Sequence, residues 1–143
     1  MIRRLVVAVA AVCAIGMSDV PAQETAPSQR DPKAAAEEFL AGVRDGKIET
    51  AYDALMVGSP VLEQPQQYLL LKGQTQSQMQ LFGKALDFEF LKQREVGSSL
   101  LILKYILRYE KDAMTWTFVF YRPKDQWVVT ALRYLPSVQY LSD

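Results

Sequence analysis

The sequence predicts an α+β domain, with helices first and an antiparallel sheet second. Two observations predict it. Apolar residues recur at helical spacing from Ala36 to Ala85 and at a spacing of two from Leu86 to the end. Turn-forming clusters at Gly97-Ser98-Ser99, Glu110-Lys111-Asp112 and Arg122-Pro123-Lys124-Asp125 then cut the second half into four strands joined as successive hairpins. Segregated helices and strands give α+β rather than alternating α/β architecture.

The first 22 residues read as an export segment. Met1-Ile2-Arg3-Arg4 is basic, Leu5 to Ser18 is uncharged and rich in Leu, Val and Ala, and Val20-Pro21-Ala22 is a small-residue exit. The apolar run is shorter than the roughly 20 residues of a membrane span. The expected division is therefore a signal peptide over 1–22, a flexible polar leader over 23–31 and one domain over 32–143, in a periplasmic or secreted bacterial protein. An uncleaved anchor is the alternative. Cys13 is a poor lipid attachment site, because Val12 precedes it where Gly or Ala is usual.

Within the domain, Asp31-Pro32 opens a helix that buries Ala36, Phe39, Leu40 and Val43 and ends at Gly46. A second helix over Lys47 to Val57 presents Ile48, Ala51, Tyr52 and Leu55, and Gly58-Ser59-Pro60 stops it. Residues 59–73, interrupted by Pro60 and Pro65, read as a loop with a short helical turn. Gln74 to Ala85 reads as a third helix carrying Met79, Leu81 and Phe82. The first strand alternates Phe88, Phe90 and Lys92 against Glu89, Leu91 and Gln93. The second places Leu101, Leu103, Tyr105, Leu107 and Tyr109 on one face. The third does so with Met114, Trp116, Phe118 and Phe120, and Trp127 to Tyr134 forms the last. The opposite face keeps Ile102, Ile106, Thr115, Thr117, Val119 and Tyr121, too apolar for an ordinary wet surface. A homodimer through that face is expected, with a monomer as the alternative.

Composition removes several chemistries. The chain has no histidine, which excludes imidazole triads, imidazole zinc sites and imidazole acid–base catalysis. Its single cysteine, Cys13, lies in the export segment, so the domain has neither thiol chemistry nor a disulfide. Loss of residues 1–22 takes Arg3, Arg4 and Asp19 from the 16 basic and 16 acidic residues and leaves a net charge near −1. That balance does not suit nucleic acid. No second long apolar stretch holds the domain on a membrane. No phosphate loop, dinucleotide fingerprint or calcium loop occurs, and no cofactor or metal is expected.

The segments DGKIETAYDAL, QTQSQMQLFGKAL and MTWTFVFYRPKDQWVVTALRYL, in that order, resemble the nuclear-transport-factor-2-like superfamily, the cystatin-like α+β cone. The resemblance covers about residues 32–135 and rests on element order and periodicity. More narrowly, the chain is similar to small exported bacterial members of uncharacterised function. The resemblance implies N-terminal helices packed on a curved four-stranded antiparallel sheet, often enclosing a pocket and often dimeric through the sheet. That superfamily hosts isomerases, dehydratases, binders and accessory domains, so the fold does not decide the activity.

An isomerase or lyase of this kind needs a base inside the cone, here a carboxylate. Asp53 directly follows the buried-side Tyr52 and reads as a solvated helix residue. Asp87, Glu89 and Glu95 read as a wet edge strand. No residue is assigned a catalytic role. Tyr105, Tyr109, Trp116, Phe118 and Phe120 are the candidate ligand-binding residues: their rings would hold a small apolar ligand and the tyrosine hydroxyls would orient it. Core packing is the competing account of the same five. Arg94, Arg108 and Arg133 are possible anion contacts or ordinary surface cations. The expected function is an exported, non-catalytic domain binding a protein partner or small apolar ligand. The alternative is a small carboxylate-based lyase or isomerase.

Overall fold

The computed structural model describes residues 29–136, so the export segment and most of the leader lie outside the described residues. Of the leader, Gln29 donates to the Asp125 carbonyl at 2.7 Å and Arg30 to the Leu55 carbonyl at 3.0 Å, which fastens the chain just before the first helix.

Helix α1 spans Pro32–Arg44. The Asp31 carboxylate accepts from the Lys33 and Ala34 amides at 3.3 Å each, and Pro32 fills the first turn, where no amide is needed. Gly46, at φ +76°, turns the chain into α2, Ile48–Leu55. The two helices meet closely: a Cβ on Gly42 would stand 2.7 Å from the Ala51 Cβ. A short 3₁₀ turn, η1, covers Pro60–Glu63, and α3 runs Pro65–Phe82.

Helix α3 departs from expectation. It begins at Pro65 rather than Gln74, because Pro65 serves as its first residue instead of interrupting it. Its buried positions are Lys72, Thr75 and Gln78, while Leu69, Leu70 and Leu81 are exposed. Apolar periodicity found only its C-terminal half, since its apolar residues do not mark its buried side, and the helix ends at Phe82, leaving Ala85 to the first strand. Polar contacts hold it instead. Tyr52 and Thr75 share a 2.7 Å hydrogen bond between hydroxyls, and Lys72 donates to Glu49 at 2.6 Å and to Asp53 at 2.8 Å.

The strands are β1 Ala85–Val96, β2 Leu100–Tyr109, β3 Ala113–Tyr121 and β4 Val128–Pro136, antiparallel and in the spatial order β1-β2-β3-β4. The α+β architecture and the meander are as expected. The curvature is not: the sheet is neither closed nor strongly curved, which overturns the cystatin-like cone. A cone needs strands bent around an inserted helix. Here α1 lies as a layer against β1 and β2, and α3 packs on α2 and η1.

One face of the sheet carries the core. Leu103, Tyr105, Leu107, Trp116, Phe118 and Phe120 meet Phe39, Leu40, Val43, Tyr52 and Leu55 with at most 1% of any of them exposed. Phe39 is central, in edge-on contact with Tyr52 at 4.9 Å, Trp116 at 5.5 Å and Phe118 at 5.7 Å between ring centroids.

Of three irregularities in the strand pairing, one lies between Ala85 and Asp87 at the start of β1, and the other two decide which side chains reach the middle of the other face. In β1, Phe90 pairs with Tyr105 but Lys92 with Lys104, so Leu91 is an extra residue. In β4, Ala131 pairs with Val119 but Val129 with Phe120, so Thr130 is extra. Each bulge reverses the alternation beyond it. Phe88 and Phe90 therefore face the helices, whereas Lys92 and Arg94 face away. Likewise Val129 is buried while Ala131 and Arg133 face away. The expectation that Lys92 shares a face with Phe88 and Phe90 fails for this reason, as does the grouping of Glu95 with Asp87 and Glu89.

Candidate functional site

The five aromatic candidates lie together, but inside. Tyr105, Trp116, Phe118 and Phe120 are fully buried and Tyr109 is 4% exposed. Their ring surfaces are taken up by protein contacts: Tyr105 meets Phe118 edge-on at 5.9 Å and Phe90 at 5.3 Å, and Trp116 meets Tyr134 at 4.9 Å. The Tyr105 hydroxyl donates to Glu37 at 3.2 Å, and burial followed by the Glu37 carboxylate pushes its pKa well above the ordinary tyrosine value. The Tyr109 hydroxyl and the Trp116 indole N–H make no hydrogen bond within the described structure. These rings do the packing that their competing account assigned to them.

The carboxylates weighed for catalysis are engaged elsewhere. Asp53 is exposed on α2 and accepts from Tyr68 at 2.6 Å and Lys72 at 2.8 Å; the Lys72 bond, then the Tyr68 bond, holds its carboxyl below the usual range. Lys72 is itself lowered by burial, but its bonds to Asp53 and Glu49 outweigh that and keep it firmly charged. Asp87 is bound by Arg108 across the sheet, and Glu89 stands 3.9 Å from the same guanidinium. Among the described residues no cluster of three His, Cys, Asp or Glu side chains could hold a metal, and no helix is long and apolar enough to cross a membrane.

The face turned away from the helices carries a different arrangement. Strand register places Arg94, Ile102, Val119 and Ala131 in one row across β1 to β4, and Lys92, Lys104, Thr117 and Arg133 in the next. These eight residues line a pocket of about 350 Å³. Its floor is aliphatic, from Ile102, Val119 and Ala131, with the Thr117 hydroxyl beside it. Its walls are the long cationic side chains. No carboxylate lines it. Among the described residues, Lys92, Arg94 and Arg133 make no ion pair, whereas Arg108 on the same face is occupied by Asp87 and Glu89. A further apolar row follows on the Arg94 side: Val96, Leu100, Tyr121 and Val128. The row on the Lys92 side contains Glu89, paired with Ile106.

Sequence periodicity identified Ile102, Val119 and Thr117 as an unusual outer surface. It did not join them to Lys92, Arg94 or Arg133. In a regular strand Lys92 would share a face with Phe90, which packs edge-on against Tyr105 on the helix side, and only the Leu91 bulge turns it outward. Three of the pocket's four cations and one of its three aliphatic floor residues reach it through the two bulges. Bulges re-aim side chains in this way beside binding and catalytic sites.

No protein-family profile, no curated protein and no solved structure matches the chain. The resemblance to nuclear-transport-factor-2-like proteins is accordingly corrected: the shared order of helices and strands does not carry the family, and the uncurled sheet lacks that family's cone.

Proposed function

We propose that this is an exported, non-catalytic binding domain that takes a small ligand on the outward face of its sheet. The observation that carries the reading is the pocket with an aliphatic floor on Ile102, Val119 and Ala131. Its volume of about 350 Å³ falls at the lower end of small-ligand sites, which run from roughly 300 to 1,000 Å³. The five buried rings then serve as the rigid back of the sheet that presents this face.

Titration of the isotopically labelled protein with an eight-carbon chain, as octanol and as octanoate, tests the reading by amide chemical shifts. Shifts centred on Ile102, Val119 and Ala131, lost in an Ala131→Phe variant that fills the pocket, are expected. Shifts confined to the helices, or none with either probe, would refute it. Export rests on the Arg3-Arg4, apolar and Val20-Pro21-Ala22 order. The mass of the protein recovered from its native envelope fraction checks it, with an N-terminus at about Gln23 expected. Retention of Cys13 counts against it.

Homodimer pairing through the same face is the competing use of it. A two-fold axis through the pocket would set the cations of one copy near those of the other, and like charges brought together oppose association. The small-ligand reading avoids this cost.

A further inference from the structure

Resting on that reading, we infer that the ligand is an amphipathic anion: an acidic head, carboxylate or phosphate, on a short unbranched or compact apolar body. The two rows of the pocket differ in kind. The row Lys92, Lys104, Thr117 and Arg133 is polar and cationic from edge to edge. A head placed over Thr117 on β3 has its hydroxyl as a donor. It is flanked by Lys104 on β2 and Arg133 on β4, each one strand spacing of about 4.8 Å away at the backbone. Long flexible cations at that distance converge on an anion above the central strand, and a guanidinium can engage two of its oxygens.

The direction of the tail follows from what lies on either side. Towards one end the next residues are Ile102, Val119 and Ala131, followed by Leu100, Tyr121 and Val128. Towards the other end Ile106, Thr115 and Leu135 stand in a row with Glu89, and the Asp87–Arg108 ion pair lies beyond, so the apolar surface on that side is bounded by charge within one row. The tail therefore runs over the aliphatic side. Two steps of two residues along a strand span about 13 Å, which suits a chain of about eight carbons. The volume agrees: at roughly 30 Å³ per non-hydrogen atom, the share a water takes in liquid, about twelve such atoms fill the pocket of about 350 Å³, room enough for an eight-carbon chain and its head.

The charge pattern also excludes other contents. A purely apolar ligand would leave Lys92, Arg94 and Arg133 with no partner while covering them, which costs free energy. A cationic ligand is repelled outright. An extended polyanion would need a basic track beyond the pocket, and Asp87 and Glu89 interrupt the face on that side.

Calorimetric titration with octanoate, octyl phosphate, octanol and octyltrimethylammonium, each as a monomer in solution, tests the inference. Octanoate and octyl phosphate should bind at least tenfold tighter than octanol, equivalent to about 1.4 kcal/mol, and octyltrimethylammonium should not bind. The advantage should shrink as salt is raised, because these cations are exposed and screened. A Lys92→Gln/Arg94→Gln variant should lose most of the anion preference and keep the octanol affinity. Arg133→Gln, on the opposite strand, gives the same readout independently should the β1 variant fail to fold. Equal affinity for octanoate and octanol would overturn the anionic head while leaving the pocket reading intact. No binding of any of the four would overturn both. Binding to anionic phospholipid vesicles without binding of monomeric octanoate would also overturn the inference, and would assign the face to a membrane surface.

Discussion

Trp116 offers the sharpest test of how the domain is held together. It is fully buried on β3 and packs against Phe39 at 5.5 Å, Tyr134 at 4.9 Å and, stacked, Phe118 at 6.4 Å. Replacement by Ala removes these contacts and leaves a cavity the size of an indole; such truncations cost about 3–5 kcal/mol. The indole N–H makes no hydrogen bond. A buried unpaired donor is itself unfavourable by about 1–3 kcal/mol, so its removal returns part of the loss. The net destabilisation expected for Trp116→Ala is therefore about 2 kcal/mol, against a total of about 5–15 kcal/mol for a domain of this size. At roughly 4–8 °C per kcal/mol, the melting temperature should fall by about 8–16 °C. Trp116→Phe keeps a ring against Phe39 and Tyr134 and drops the unpaired donor, so it should cost only about 1 kcal/mol. Thermal and urea unfolding followed by circular dichroism read both variants. An unchanged melting temperature for the Ala variant would refute the packing argument. A Phe variant as damaged as the Ala variant would refute the part assigned to the ring contacts with Phe39 and Tyr134.

Two further outcomes follow from the helical layer. Gly42→Ala should destabilise the domain by about 1 kcal/mol even though Ala is the better helix former by about the same amount, because its Cβ would lie 2.7 Å from the Ala51 Cβ and overpacking costs about 1–3 kcal/mol; a raised urea midpoint would contradict the close approach of α1 and α2. Asp53, whose carboxyl is held below its ordinary 3.8 by Lys72 and then Tyr68, contributes stability that is present above that value and lost as pH falls through the lower folded-state pKa. Melting temperatures measured from about pH 5 down to about pH 2 should therefore fall less steeply for Asp53→Asn than for the unaltered protein, and parallel curves would show that the link between α2 and α3 is not coupled to folding.

Much of the fold was legible because the signals that carry it are local. Asp31-Pro32 announces α1 by capping chemistry, and the stripe Ala36, Phe39, Leu40, Val43 is its buried face in the structure. The strands of the sheet, their hairpin order and the burial of Trp116 followed from alternation and turn residues. Helix α3 was half legible. Its N-terminal half was hidden because Pro60 and Pro65 read as interruptions and because its buried position there, Lys72, is held by ion pairs to Glu49 and Asp53 on α2; partners distant in sequence leave no periodic trace.

By itself, then, the sequence determined the α+β class, the antiparallel meander, the face of β2 and β3 that packs on the helices, and the exclusion of histidine chemistry. Each depends on residue type or on spacing within one element. Only the tertiary structure decided three things: that the sheet stays open rather than coning, that Tyr105, Tyr109, Trp116, Phe118 and Phe120 form the core rather than a ligand cavity, and that Lys92, Arg94 and Arg133 gather around Ile102, Val119 and Ala131. The physical reason is the same in the last case as in most register problems. One extra residue at Leu91 and another at Thr130 exchange the two faces of a strand, and where a strand takes up such a residue is set by pairing with its neighbours, by the contact of Phe90 with Tyr105 and by the burial of Val129, not by the strand's own sequence.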